Sequence, residues 1–233
     1  MENKNHYTTQ QLKDEAIVYF TRHQNDLEEI RLLLEIKLKK ICALYTANNN
    51  LPQDALSIKT RVKELDSFLK KLERKNWPQF YGSAAVINDL VGARITCWFL
   101  DDCTSILESI QHSGSIDIIN TSRENYIDNP KPTGYRALHA LANINYDYVK
   151  PGSNGKFKLE TEKIICEIQI RTRLQDAWGD ITHDIYYRTK NLGLHDKKHE
   201  RFLAAISKRL LKEDTAFLKL KKIYSKFIEQ KIT

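Results

Sequence analysis

Residues 166–171, CEIQIR, constrain the fold more than any other stretch of the chain. Their side chains alternate with a period of two. Cys166, Ile168 and Ile170 fall on one face of a strand, and Glu167, Gln169 and Arg171 on the other. The apolar face requires a core beneath it. The polar face sets an acid, an amide and a base in line, which is more chemistry than a solvated sheet surface needs. From Thr172 the period changes to that of a helix. Leu174, Ala177, Trp178, Ile181 and Ile185 form an apolar stripe, and Asp176, Asp180, His183 and Tyr187 form a second one. Trp178 is therefore expected in the core, and Asp180 with His183 lacks the third ligand that a metal site needs.

At 233 residues the chain can bury a sizeable core. Its 41% hydrophobic and 29% charged residues fit a globular protein, not a disordered one. No stretch approaches the roughly 18 apolar residues of a membrane span, and the start, MENKNHYTTQQLKDE, offers no secretory signal. Cys42, Cys97, Cys103 and Cys166 show no C-x-x-C pair, so reduced thiols in a cytoplasmic protein are expected. A net charge of +7 predisposes the surface to polyanions.

Along the chain, helical spacing runs from Gln11 to about Asn48, with Leu27, Ile30, Leu34, Ile41 and Leu44 on one face. TANNNLPQDA closes that region with turn residues. A third helix is expected over 66–75, with Leu65, Phe68, Leu69 and Leu72 as its apolar stripe, and a short one over 84–90. GARITCWF reads as a buried strand, DDCTSILESIQHSG as a helix, and SIDIIN and ALHALANINY as strands. KPGSNGKFKLETEK is a loop or hairpin before the strand ending at Ile170. Everything after Thr172 reads as helix, broken at TKNLGLHD. These elements predict an α+β fold, a mixed sheet flanked by helices with helical N- and C-terminal extensions.

Several groups stand out for chemistry. Lys63, Ser67 and Lys71 step by four, with Arg61 just ahead, and share one face if the helix starts that early. Such a set is either a solvated charged face or a polyphosphate site. Asp89 and Arg94 stand at the entrance to a buried strand. With Glu167, Asp89 could bind Mg²⁺ or simply pair with Arg94. YIDNPKPTGYRALHAL is a stiff, proline- and glycine-punctuated loop that presents Tyr126, Lys131, Tyr135, Arg136 and His139. It offers an aromatic platform for a base, with cations for its phosphates.

Taken in order, R-V-K-x-x-x-S-x-x-x-K (61–71), D-L-V-G-A-R (89–94), P-K-P-T-G-Y-R-A-L-H (130–139) and E-I-Q-I-R-T with the following D-A-W and His183 resemble the synthetase domain of RelA/SpoT-type alarmone synthetases. The resemblance runs from about Arg61 to Arg188, between an N-terminal extension (1–60) and a C-terminal one (189–233). It implies a nucleotidyltransferase-like fold. The activity implied is transfer of the β,γ-pyrophosphate of ATP to the 3′-hydroxyl of GDP or GTP, releasing AMP. Arg61, Lys63, Ser67 and Lys71 would hold ATP. Asp89 would bind Mg²⁺, and Glu167 would share the ion or accept the hydroxyl proton. Tyr135 would stack on the acceptor base, with Lys131, Arg136 and His139 near its phosphates. Arg94, Gln169 and Arg171 would support the site.

Some positions depart from that pattern. Asp176 replaces an expected Asn and is read either as a guanine reader or as a partner of Arg173. Glu124 stands where a basic residue is expected, against phosphate binding there. The sixty residues before Arg61 leave no room for a hydrolase domain, which points to a stand-alone synthetase. An alternative keeps the chemistry but moves pyrophosphate to the tRNA 3′ end or to adenine nucleotides, as a toxin with a cognate antitoxin would. The lysine-rich C-terminal segment, read as two amphipathic helices, would then contact tRNA; otherwise it packs on the domain or joins copies in a homo-oligomer. A third reading, a nucleotide- or RNA-binding module without catalysis, is disfavoured by the retained carboxylates.

Overall fold

The structure, a computed structural model, describes residues 7–78, 87–152, 155–191 and 196–232, excluding the side chains at 184, 186–191 and 228–232. Two helices come first, α1 (Thr9–Arg22) and α2 (Gln24–Asn48). Thr8 starts α1 with a reciprocal capping box. Its hydroxyl accepts from the Gln11 backbone N–H at 3.2 Å, and its own N–H donates to Gln11 Oε1 at 2.8 Å. On α2 the buried apolar positions are Leu27, Ile30, Leu34, Leu38 and Cys42. The stripe passes through Leu38 and Cys42, and Leu44 is 63% exposed, not buried as its spacing suggested.

The sheet has six strands: β1 (Leu56–Val62), β2 (Val91–Cys97), β3 (Asp117–Ile118), β4 (Glu124–Asn125), β5 (Leu138–Pro151) and β6 (Phe157–Thr172). Its order is β1-β2-β6-β5-β3, with β4 also pairing with β5. β2 runs parallel to β6, and the other pairings are antiparallel, so the sheet is mixed as expected. KPGSNGKFKLETEK belongs to a hairpin, since β5 and β6 pair continuously from Leu138↔Ile170 to Pro151↔Phe157. SIDIIN contributes only the two residues of β3. Of the short helix expected over 84–90, residues 84–86 lie outside the described residues, and Asn88 and Asp89 form a turn.

One face of the sheet is apolar. Val91, Ala93 and Ile95 of β2, Leu138, Ala140, Ala142 and Ile144 of β5, and Ile164, Cys166, Ile168 and Ile170 of β6 are all buried. α2 and α4 (Leu100–His112) cover this face, α4 through Cys103, Ile106, Leu107 and Ile110. The N-terminal helices are thus part of the main core. Leu34 is 0% exposed, and Leu34→Ala would cost about 2–5 kcal/mol. α3 (Leu65–Arg74) packs on α1, where the Phe20 and Phe68 rings lie 5.5 Å apart.

The C-terminal part is α5 (Arg173–Asn191) and α6 (Lys197–Ile232). α6 is one helix of 36 residues where two were expected. On α5 the buried face carries Gln175, Trp178 and Thr182, whereas Ile181 and Ile185 are 63% and 56% exposed. α6 explains the rotation: it docks beside Trp178, whose Nε1–H donates to the Leu203 carbonyl at 3.1 Å.

Candidate active site

The other face of the sheet is polar, and strand register lays its side chains out in rows. One row reads Arg61, Gly92, Glu167, Leu141 across β1, β2, β6 and β5. The next reads Lys59, Arg94, Gln169, His139, Glu124 and ends on β4. A third holds Ser57, Thr96 and Arg171. The acid, amide and base of CEIQIR therefore face a surface to which five strands contribute.

At the β1 side, Asp89 in the turn before β2 meets two lysines. Lys63 Nζ donates to Oδ2 at 2.9 Å, and Lys71 Nζ approaches Oδ1 at 2.7 Å. Burial disfavours the charged carboxylate, but the two lysines outweigh it and hold Asp89 below the usual carboxylate range. Lys63 is not on a helical face with Ser67 and Lys71, because α3 starts at Leu65 and Lys63 lies in the connection from β1. Its backbone N–H donates to the Leu90 carbonyl at 2.7 Å, which ties that connection to the Asp89 turn. Ser67 lies in the first turn of α3 and is exposed, as is Arg61 on β1.

Toward β5, Glu167 is held by its neighbours. His139 Nδ1 lies 3.2 Å from Oε1, and Gln169 Nε2 donates to Oε2 at 2.7 Å. Burial pushes the Glu167 pKa up and the nearby Asp89 charge adds to that, yet His139 and Gln169 carry it below its ordinary value. The other ring nitrogen, Nε2, lies 2.8 Å from the Tyr135 hydroxyl, so the imidazole bridges carboxylate and phenol. Tyr126 completes the aromatic corner, its ring edge-on to His139 at 5.2 Å and to Tyr135 at 6.1 Å. Lys131 Nζ lies 4.4 Å from the Tyr126 ring centroid and 5.3 Å from that of Tyr135. Burial pushes the Tyr135 phenol up to about 12, and a hydrogen bond to Glu124 at 2.5 Å does the same for Tyr126. Both phenols are neutral near pH 7.

Arg136 is not brought to this corner. Its guanidinium donates to the Ile127 carbonyl and braces the loop from behind. Asp176 does not pair with Arg173, which turns to the Asp54 carbonyl. Asp176 Oδ1 instead accepts from Arg171 Nε at 2.7 Å and from Arg94 at 3.2 Å. Asp180 takes a second bond from Arg94 at 2.8 Å. Arg171 is 2% exposed, and a β-carbon on Gly179 would overlap its guanidinium. The glycine opens α5 to a buried cation.

Sequence reasoning missed β1, and with it Lys59 and the strand placement of Arg61. It also missed the partnership of Asp180 with Arg94. Alternation in LSIKTRV was a usable signal for the first; nothing local announces the second.

Among the described residues no group of three or more His, Cys, Asp or Glu assembles as a metal cluster. No helix among them is long and apolar enough to cross a membrane. Comparison with known proteins gives a consistent picture. The chain is 31% identical over 134 residues to GTP pyrophosphokinase YwaC of Bacillus subtilis (strain 168), covering 57% of this chain and 59% of YwaC. It is 28% identical over 156 residues to GTP pyrophosphokinase YjbM of the same organism, covering 66% and 67%. The crystal structure of small alarmone synthetase 2 from Bacillus subtilis superposes with a TM-score of 0.65 at 27% identity, covering 85% of this chain and 97% of that one. Residues 60–192, a span that holds both carboxylates and the tyrosine loop, match the region found in RelA / SpoT proteins. More than half of the sequence lies in that match, and the chain belongs to the RelA/SpoT family.

Proposed function

We propose that this protein transfers the β,γ-pyrophosphate of ATP to the 3′-hydroxyl of GDP or GTP, giving (p)ppGpp and AMP. The observation that carries the reading is the division of one polar face into two halves. A carboxylate flanked by lysines, Asp89, occupies one half, and a carboxylate bound to an imidazole on which two phenol rings pack, Glu167, occupies the other. Two aligned GTP pyrophosphokinases support the same chemistry.

In this reading Arg61, Lys63, Ser67 and Lys71 bind ATP. The lysines now on Asp89 are the cations a triphosphate draws toward itself, and Ser67 offers its hydroxyl at the start of α3. Tyr135 stacks on the acceptor base and Lys131 meets its phosphates. His139 holds Glu167 and Tyr135 in register, so that Glu167 can take the 3′-hydroxyl proton. Arg94, Gln169 and Arg171 fix the floor between the two nucleotides, and Arg136 supports the loop. The described contacts of Asp176 run through Oδ1, leaving Oδ2 to read the guanine edge.

The two carboxylates also suit Mg²⁺, which takes one or two carboxylates together with substrate phosphates. Asp89 Oδ1 is shielded from solvent and held by the Lys71 ammonium at 2.7 Å, a place that a hard cation could take over from the lysine. Bound Mg²⁺ would neutralise charge developing on the transferred group.

The test is a transfer assay with γ-labelled ATP and Mg²⁺, offering GDP, GTP, ADP and deacylated tRNA separately. Label on GDP or GTP with AMP released is expected. Label on ADP or tRNA alone would overturn the acceptor assignment, and no transfer would overturn the reaction.

A further inference from the structure

Three polar side chains of α6 stand seven residues apart, two helical turns each, and each reaches a different part of the protein. The Ser207 hydroxyl donates to the Gly134 carbonyl at 2.5 Å. Asp214 accepts from the Thr172 hydroxyl at 2.8 Å. Lys221 Nζ binds Asp101 at 3.1 Å and Asp102 at 3.0 Å, at the start of α4. Ser207 and Asp214 are 4% and 1% exposed, so both contacts are shielded from water. Residues at this spacing share one helical face, and the anchored face of α6 is this one.

The first anchor lies beside the proposed acceptor subsite. Gly134 immediately precedes Tyr135 and adopts φ +91°, a conformation side chains avoid. It also has no room for one, since a β-carbon there would lie 2.7 Å from Ala204 Cα and 2.9 Å from Ser207 Cβ. The loop backbone therefore rests directly on the backbone of α6. The loop closes on itself as well, through Gly134 N–H to the Lys131 carbonyl at 2.7 Å. The second anchor sits one residue beyond Arg171, on the strand that carries Glu167. α6 thus joins the tyrosine loop to the end of β6.

We propose that Ser207 is a positioning residue for the acceptor nucleotide: through Gly134 it sets where the Tyr135 ring stands relative to Glu167, which makes the C-terminal helix a working part of the site. The proposal rests on the acceptor role of Tyr135 given above. Ser207→Ala removes one buried hydrogen bond and leaves the Gly134 carbonyl without it. The loop then samples positions in which Tyr135 no longer faces the acceptor. ATP, held on the β1 side, is unaffected.

The experiment measures KM for GDP at saturating ATP, KM for ATP at saturating GDP, and amide hydrogen exchange in the 131–136 segment. Ser207→Ala should raise the GDP KM about five- to tenfold, leave the ATP KM within about twofold, and speed exchange at the loop. Lys221→Met frees the far end of α6 without touching the loop. It should lower the melting temperature while leaving the GDP KM unchanged. Equal rises in both KM values, or the same loss in Lys221→Met as in Ser207→Ala, would overturn the positioning role in favour of general stability. Hydrogen exchange needs no acceptor. If wild type transfers to nothing, unchanged exchange still refutes the clamp, and faster exchange still supports it.

Discussion

His139 joins the two halves of the acceptor corner: one ring nitrogen lies 3.2 Å from Glu167 and the other 2.8 Å from the Tyr135 hydroxyl. An imidazole in that position does two things. It lowers the Glu167 pKa against the push of burial, and it fixes the tyrosine ring relative to the carboxylate.

His139→Ala should therefore change the pH–rate profile as well as the rate. Without the imidazole, burial dominates and the Glu167 pKa rises. The acidic limb of kcat/KM then moves to higher pH, and transfer near pH 7 falls by roughly two orders of magnitude. A slower enzyme with an unmoved acidic limb would mean that His139 does not tune Glu167.

Lys71 and Lys63 should separate by function. Lys71 is 30% exposed and Lys63 10%. Lys71→Met should raise the ATP KM about tenfold, equivalent to about 1.4 kcal/mol, with little loss of stability. Lys63→Met should in addition lower the melting temperature. The folded pKa of Asp89 is depressed, so the stabilisation from its lysines is present above the unfolded value near pH 4 and fades as pH falls through the lower folded value. Melting curves at neutral and acid pH check this: the Lys63→Met deficit should shrink in acid.

Gly179 is predicted to matter only because of Arg171. Gly179→Ala pushes the guanidinium off Asp176 and should cost about 2–4 kcal/mol in chemical denaturation. In an Arg171→Met background the same change should be near neutral, or stabilise by up to about 1 kcal/mol, since Ala favours helix over Gly. Additive effects in that double-mutant cycle would contradict the steric account.

Asp214 carries the opposite sign from Asp89. Burial pushes its pKa up to about 6 with only Thr172 opposing. The folded value lies above the unfolded one, so a charged Asp214 weakens the fold above pH 6, and the cost disappears toward pH 4. Asp214→Asn should stabilise the protein at pH 7.5 by roughly 1–3 kcal/mol. The gain should vanish near pH 4. A gain independent of pH would show that the carboxylate charge is not its source.

Where one short segment carried its own pattern, the sequence was readable. The alternation around Glu167 placed β6, its buried face and its polar face, and four ordered motifs brought Asp89, Tyr135 and Glu167 together. β1 is masked because the spacing of Lys63, Ser67 and Lys71 suggests one helical face if the helix begins that early, with Arg61 just ahead, although the chain changes from strand to helix between Val62 and Leu65. The α5 stripe was misplaced because Ile181 and Ile185 looked like core residues. Their exposure depends on α6 docking beside Trp178, a contact 25 residues away in sequence. The partners of Asp176, of Asp180 and of Arg136 are likewise set by tertiary packing, which no local period reports.

The central claim is that Glu167 serves pyrophosphate transfer to a guanosine nucleotide. The most direct test compares wild type and Glu167→Gln in one assay with labelled ATP, Mg²⁺ and GDP, alongside GDP binding to each. The account predicts labelled product and AMP from wild type, and a loss of at least about a thousandfold in the variant. GDP affinity should be retained, because Gln keeps the shape and the bond to His139. Near-normal transfer by Glu167→Gln would contradict the role given to this carboxylate.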